Sequence, residues 1–205
     1  MNQQEQIAYD LLKIGAVQLD TDKGFTWASG IQSPIYCDNR VTLSYPAIRK
    51  HIIQAMKEYI EMYYPDVQCI AGTATAGIPH AALLAEALNL PMIYIRNKPK
   101  DHGRCSQIEG TFLPGTKMIV IDDLISTGGS VLNAVKVAQN EGANVCAVFS
   151  IFSYQLPKAT ENFAKAGIPY HSMTNYQALI QIAAKEHYIE EKDLSFLEEW
   201  RKEQQ

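Results

Sequence analysis

Apolar residues along this chain recur in two rhythms, and the rhythms take turns. Short runs of mostly apolar, often β-branched residues occur at 67–72, 92–96, 118–121 and 144–152, and a further short strand is expected at 170–174. Such runs predict strands buried on both faces, as in a parallel sheet. Between and around them apolar residues return every three or four positions. Ile7, Leu11, Leu12 and Ile14 predict a short amphipathic helix over 5–14, stopped by Gly15. Ile48, Ile52, Met56, Tyr59 and Ile60 predict another over 46–64, with Ser44 as its cap and Pro46 close behind. Val131, Leu132, Val135 and Ala138 line one face of a helix closed by Gly142. Further helical stretches lie at 78–89, from Pro157 onward, at 176–185 and at 194–202. Strands alternating with helices predict one α/β domain, a mostly parallel five-stranded sheet flanked by helices.

Residues 16–40 break this alternation. Aromatic and β-branched residues are set there between turn signals at 22–24, Ser29-Gly30 and Ser33-Pro34, which predicts short antiparallel strands. A segment of this texture ahead of the first parallel strand predicts a small N-terminal hood. Phe25 and Tyr36, taken singly, read as core aromatics. The chain divides into a hood at about 1–44, a core at about 45–175 and C-terminal helices at 176–205. It contains no internal repeat, low-complexity tract or interdomain linker.

Composition narrows the partners. With 205 residues and a formal net charge of −4, the chain has no basic tract and is a poor general nucleic-acid binder. No apolar run is long enough to span a membrane, and M-N-Q-Q-E-Q at the start is not a signal peptide. The four cysteines show no C-x-x-C pair; Cys69 and Cys146 lie in apolar runs and read as buried thiols, while Cys105 falls in a polar loop. A reducing cytoplasm is the expected compartment.

The chemistry gathers where the predicted strands end, which is where such sheets bind ligands. The run K-M-I-V-I-D-D-L-I-S-T-G-G-S, residues 117–130, is a buried strand, two acids, a hydroxyl- and glycine-rich turn and a helix start. Bare glycine backbone and an open helix N-terminus receive anions, and Ser126, Thr127 and Ser130 add hydroxyl donors. Asp122 and Asp123 accept hydrogen bonds from vicinal hydroxyls or hold a hydrated Mg²⁺. A phosphate cradle beside a diol acceptor describes a ribose 5-phosphate site. A second junction, T-A-T-A-G at 73–77, leaves its backbone bare, as an anion site or tight strand–helix packing would require. The third, at 96–115, is long and polar and carries Arg96, Lys98, Lys100, His102 and Arg104, the one clear cationic cluster. Connections of this length often serve as lids.

Residues 119–130 closely resemble the phosphoribosyl-diphosphate (PRPP) signature of the type I phosphoribosyltransferases. The run F-T-W-A-S-G…S-P-I-Y-C-D resembles the hood of the orotate phosphoribosyltransferases, and the resemblance extends over essentially the whole chain. It implies the type I fold and transfer of the 5-phosphoribosyl group from PRPP to orotate, giving orotidine 5′-monophosphate and diphosphate in pyrimidine synthesis. It implies ribose contacts at Asp122 and Asp123, and a 5′-phosphate cradle formed with Leu124, Ile125, Ser126, Thr127, Gly128, Gly129 and Ser130. Diphosphate would lie at Thr73, Ala74 and Thr75. Lys100 and His102 match the family's catalytic loop (K-D-H-G here) and Arg96 its preceding arginine, all three toward PRPP. Orotate would meet Ser126, Tyr36 and Cys37. Mg²⁺ is the implied cofactor, bound mainly through PRPP, and a homodimer sharing the loop between subunits is the implied assembly.

Departures from the family pattern concern the base more than PRPP. Ala28, Ala76 and Asn97 stand where lysines are frequent, with Lys98 a neighbour of the last. No arginine occurs at 152–155 for the orotate carboxylate, leaving Arg40 as a replacement. The alternatives are a purine phosphoribosyltransferase, which should lack the hood run and the K-x-K-D-H-G loop, and a non-enzymatic PRPP-sensing regulator, which should carry a DNA-binding appendage.

Overall fold

The computed structural model describes residues 1–27, 30, 32–98 and 107–204. In chain order the elements are helix α1 (Gln3–Lys13), strands β1 (Val17–Leu19), β2 (Phe25–Thr26), β3 (Gln32–Ser33) and β4 (Ile35–Cys37), a 3-10 turn (Asn39–Ser44) and helix α2 (Pro46–Tyr63). Next come β5 (Cys69–Thr73), α3 (Gly77–Leu88), β6 (Met92–Ile95), β7 (Ile108–Glu109), β8 (Lys117–Ile121), β9 (Leu124–Ile125) and α4 (Gly129–Asn140). The chain closes with β10 (Asn144–Ser153), α5 (Pro157–Ala166), β11 (Tyr170–Asn175), α6 (Tyr176–Lys185) and α7 (Asp193–Glu203).

Among the described residues the main sheet runs β11-β10-β8-β5-β6-β7, with β9 paired to β10. The five predicted strands are all present and parallel to their neighbours. Two more join them: β7 lies antiparallel on the β6 edge, and β9 continues alongside Phe152 and Ser153 of β10. Successive residues of each strand point to opposite faces, so the core divides in two. Ile70, Ile119, Ile121 and Phe149 face a layer that includes α1, α2, α3 and α6, whereas Cys69, Ala71, Met118 and Val120 face α4 and α5. Strand order reverses between β5 and β8, which are adjacent although a helix and two strands separate them in the chain. Ligands bind at such a crevice because the two flanking connections leave in opposite directions.

Three expectations need correction. Ser44 does not cap α2: it ends the 3-10 turn, Tyr45 holds the cap position without a side-chain bond, and Pro46 supplies the preset first turn. Helix α1 is not confined to the hood, since Ile7, Ala8, Leu11 and Leu12 are buried and it packs on α6 and β11. Cys146 is only half-buried, although Cys69 is buried as its apolar run predicts. The hood itself is two small antiparallel pairs, β1 with β4 and β2 with β3. Trp200 of α7 reaches back to it, donating its indole N–H to the Gln32 carbonyl at 3.2 Å.

Candidate active site

Two strand-to-helix junctions meet across the β5–β8 crevice. At the first, β5 ends at Thr73 and α3 begins at Gly77, and the Ala74 N–H is tied to the Ile95 carbonyl of β6 at 2.8 Å. A Cβ added at Gly77 would lie 2.6 Å from Thr73 Oγ1 and would overlap the Ile121 carbonyl. Glycine is required because the start of α3 presses directly on the end of β8. Both readings of T-A-T-A-G thus have a physical basis here, since the close packing also brings an open helix N-terminus beside the acids. Thr75 is exposed at the tip of the turn.

At the second junction β8 runs into Asp122 and Asp123. The Asp122 N–H donates to Phe149 O of β10 at 2.9 Å. Its carboxylate Oδ1 accepts from the Thr73 hydroxyl at 2.7 Å and from the Asp123 N–H at 3.0 Å. This Thr73–Asp122 bond links the two junctions across 49 positions of sequence. Burial pushes both carboxyls upward: Asp122 rises despite the Thr73 and Asp123 donors, and Asp123, which also faces the Asp122 charge, is pushed up to about 7. Two crowded, mostly buried acids make a place where a ligand's hydroxyl donors or a cation are favoured.

The turn beyond them is built for an anion. Ile125 is buried and offers ligand only its backbone, whereas Thr127, Gly129 and Ser130 are exposed. Gly128 adopts φ +75°, and a Cβ there would lie 2.5 Å from the Phe163 ring, so both conformation and packing exclude a side chain. Asn162 of α5 steadies the turn by donating to the Thr127 carbonyl at 2.9 Å. The first N–H groups of α4 have no carbonyl within the helix to meet, and they open beside these exposed hydroxyls.

Arg96 ends β6. Its N–H donates to Gln107 O at 2.8 Å and its carbonyl accepts from Gln107 Nε2 at 3.0 Å, so the long polar connection is closed at its base. The Arg96 guanidinium lies 3.8 Å from Glu109. Lys98 is exposed. Lys100, His102, Arg104 and Cys105 lie outside the described residues, as does Ala28 of the hood.

On the hood side, Tyr36 is 41% exposed and packs 5.9 Å from Phe25, centroid to centroid. Cys37 is buried, and burial drives its thiol well above the ordinary range, so only its backbone is placed to meet a base. Arg40 forks onto Asp38 through Nε at 2.6 Å and Nη2 at 2.8 Å, which holds the Asp38 carboxyl low. As a carboxylate partner Arg40 is therefore largely engaged. Residues 152–155 hold no arginine, and Tyr154 among them is buried, its ring 4.7 Å from that of Trp27. Three other histidines occupy structural places: His51 meets Asp10 at 3.0 Å, His171 sits between Tyr59 and Tyr64, and burial lowers His80 to about 4; His187 is exposed.

Sequence reasoning missed Asn39. It is fully buried, and its amide donates to the Asp123 carbonyl at 2.7 Å. Its only local signal is an Asp-Asn pair after a short strand, which ordinary turns share. A wide cleft of about 1110 Å³ lies elsewhere, between the β1 end and the α6–α7 connection. Among the described residues no cluster of His, Cys, Asp and Glu is arranged to hold a metal ion.

A family model, the phosphoribosyl transferase domain, matches residues 42–165, well over half of the chain. A protein of Enterococcus faecalis named orotate phosphoribosyltransferase is 57% identical over 198 residues, covering 97% of this chain and 94% of its own. The chain belongs to the orotate phosphoribosyltransferases. The solved orotate phosphoribosyltransferase of Aeropyrum pernix superposes with a TM-score of 0.77 at 29% identity, covering 89% of this chain and 99% of that one. A solved adenine phosphoribosyltransferase also superposes, with a TM-score of 0.65 at 23% identity, covering 82% and 99% of the two chains. The type I fold is thus common to purine and pyrimidine enzymes. What separates this orotate phosphoribosyltransferase from them is its sequence relationship, not its sheet.

Proposed function

We propose that the protein transfers the 5-phosphoribosyl group of PRPP to orotate, releasing diphosphate and orotidine 5′-monophosphate. One observation carries this reading: two anion-receiving helix starts converge on the Asp122–Asp123 pair, joined by the Thr73–Asp122 hydrogen bond. That arrangement suits a ligand with a phosphate at one end, a diol in the middle and a diphosphate at the other. The bond from C1′ to the diphosphate oxygen breaks with its electron pair leaving on diphosphate. The bond from orotate N1 to C1′ forms as the N1 proton passes to water.

Each residue has a role in this scheme. Ser126 to Ser130 hold the 5′-phosphate, and the two acids take the ribose hydroxyls. The 73–75 turn and Arg96 receive diphosphate. Lys100 neutralises charge as it accumulates on the leaving group, and His102 supplies a proton to it. The base lies between Tyr36 and Ser126. Mg²⁺ fits as a cation carried in by PRPP beside the two acids; when bound, it would lower the charge of the diphosphate. A homodimer whose loops bearing Lys100 and His102 visit the partner's site, and a cytoplasmic location, complete the reading. Among the described residues no helix is long and apolar enough to cross a membrane.

The test is direct. Purified protein is incubated with PRPP, Mg²⁺ and orotate, hypoxanthine, guanine or adenine in separate reactions. Orotate alone should be consumed; turnover of a purine at a comparable rate would sink the assignment.

A further inference from the structure

Asn39 lies at 0% exposure in the 3-10 turn just after β4, between the hood and the PRPP turn. Its Nδ2 donates to the Asp123 carbonyl at 2.7 Å, across 84 positions of sequence. Its Oδ1 accepts from the Cys37 thiol at 3.4 Å. One planar amide therefore spans the base side and the ribose side of the site. Its own backbone is fixed as well. The Thr42 hydroxyl donates to the Asn39 carbonyl, and Asp38 caps the turn by accepting from the Arg40 N–H at 3.1 Å. The Asp123 carbonyl has one further donor, the Phe152 N–H at a longer 3.4 Å.

Few side chains meet both demands. An amide offers a donor and an acceptor at fixed separation. A carboxylate at this position would face the Asp123 carbonyl and add a third negative group beside Asp122 and Asp123. An aliphatic side chain would leave the carbonyl to the weak Phe152 bond and strand the thiol.

We propose that Asn39 is a positioning residue for the transfer reaction: it sets the separation between the base shelf at Tyr36–Cys37 and the diol acceptors at Asp122–Asp123. It thereby aligns the attacking nitrogen of orotate with C1′ of PRPP. This rests on the orotate reading above. Each half of the site keeps its own substrate contacts without Asn39, but their mutual alignment depends on it. Displacing reacting atoms by about 1 Å costs on the order of a hundredfold in rate.

The experiment compares full-length wild type with Asn39→Ala and Asn39→Asp. Wild-type consumption of orotate tests the functional reading; the variants relative to wild type test Asn39, so the two failures are distinguishable. For Asn39→Ala, kcat should fall roughly tenfold to a hundredfold at saturating substrates. The dissociation constants of PRPP and of orotate, measured by calorimetry, should stay within about threefold of wild type, as expected when the lost interaction acts in the transition state. Asn39→Asp should fall further. An unchanged kcat overturns the proposal, and so does a kcat loss matched by equal losses in both affinities and in melting temperature. If Asn39→Ala does not fold, Cys37→Ala removes only the donor that orients the amide. It should lower kcat several-fold with PRPP affinity kept, and an unaltered kcat in that variant overturns the proposal equally.

Discussion

Replacing Asp123 by asparagine should stabilise the ligand-free protein while crippling it. The Asp123 carboxyl is mostly buried and faces Asp122, and these two effects raise it from 3.8 to about 7. A raised carboxyl favours the folded state most when it is protonated. The stabilising contribution is therefore fully present below about pH 3.8 and is lost as pH rises through about 7. At about pH 8 the folded protein carries the whole cost of the charge. Three units at about 1.4 kcal/mol each set that cost at about 4 kcal/mol. Asparagine keeps the shape and is neutral at every pH, but its amide must also be desolvated, which offsets about half of the gain. A net gain of about 2 kcal/mol should raise the melting temperature by roughly 4–8 °C in a domain of this size. Near pH 5 the folded acid is protonated but the unfolded one is already ionised, so about 1.7 kcal/mol of the cost is present; desolvation of the amide offsets about as much, and the two proteins should melt nearly together. Function moves the other way. A charged hydrogen bond to a ribose hydroxyl contributes about 1.5–3 kcal/mol, so PRPP affinity should fall roughly tenfold to a hundredfold. Melting curves at both pH values without ligand, and titration calorimetry with PRPP and Mg²⁺, check both halves. Equal melting temperatures at pH 8, a gain that does not depend on pH, or intact PRPP affinity would each refute the reasoning.

Three further outcomes are expected. Lys100→Ala should lower kcat on the order of a hundredfold or more while raising the KM for PRPP less, because its contact strengthens as diphosphate gains charge. If the loop serves the partner's site, co-refolding this variant with Asp122→Asn/Asp123→Asn should restore activity in verified hybrid dimers; no recovery would mean that each loop serves its own subunit. Gly77→Ala should cost about 1–3 kcal/mol by overpacking, because its Cβ meets Thr73 Oγ1 and the Ile121 carbonyl. PRPP affinity should fall with it as Thr73 is pushed off Asp122, and unchanged melting and affinity would show that α3 has room to retreat.

The parts of this site differ in how far they can be read from sequence, and the difference is physical. An anion cradle is assembled from consecutive residues. The acids, hydroxyls and glycines of residues 122–130 therefore announce it locally, and Gly128 meets its positive φ where that run has its first glycine. Four of the five parallel strands are legible because burial on both faces demands nearly unbroken apolar runs, whereas β11, Y-H-S-M-T-N, is a partly exposed edge strand. The span 176–185 matches α6 at both ends, since Asn175 caps it with a side-chain bond to the Ala178 N–H. Strands β7 and β9 are too short, at two residues each, for any period to register. Their existence depends on what lies beside them. The start of α2 is obscured for a related reason: Ser44 has the chemistry of a cap, but the preceding 3-10 turn claims it. The relations between turns are the least visible of all. Gly77 reads locally as one small residue among several, yet its missing Cβ lets α3 reach the end of β8. Asn39 reads as a polar residue in D-N-R, yet its amide ties segments 84 positions apart. Local sequence specifies what each turn can bind, whereas the distances between the bound groups come from packing contacts whose two partners each look ordinary alone. Substitutions at Gly77 and Asn39 should therefore disturb the geometry of transfer even though neither residue carries a group that reacts.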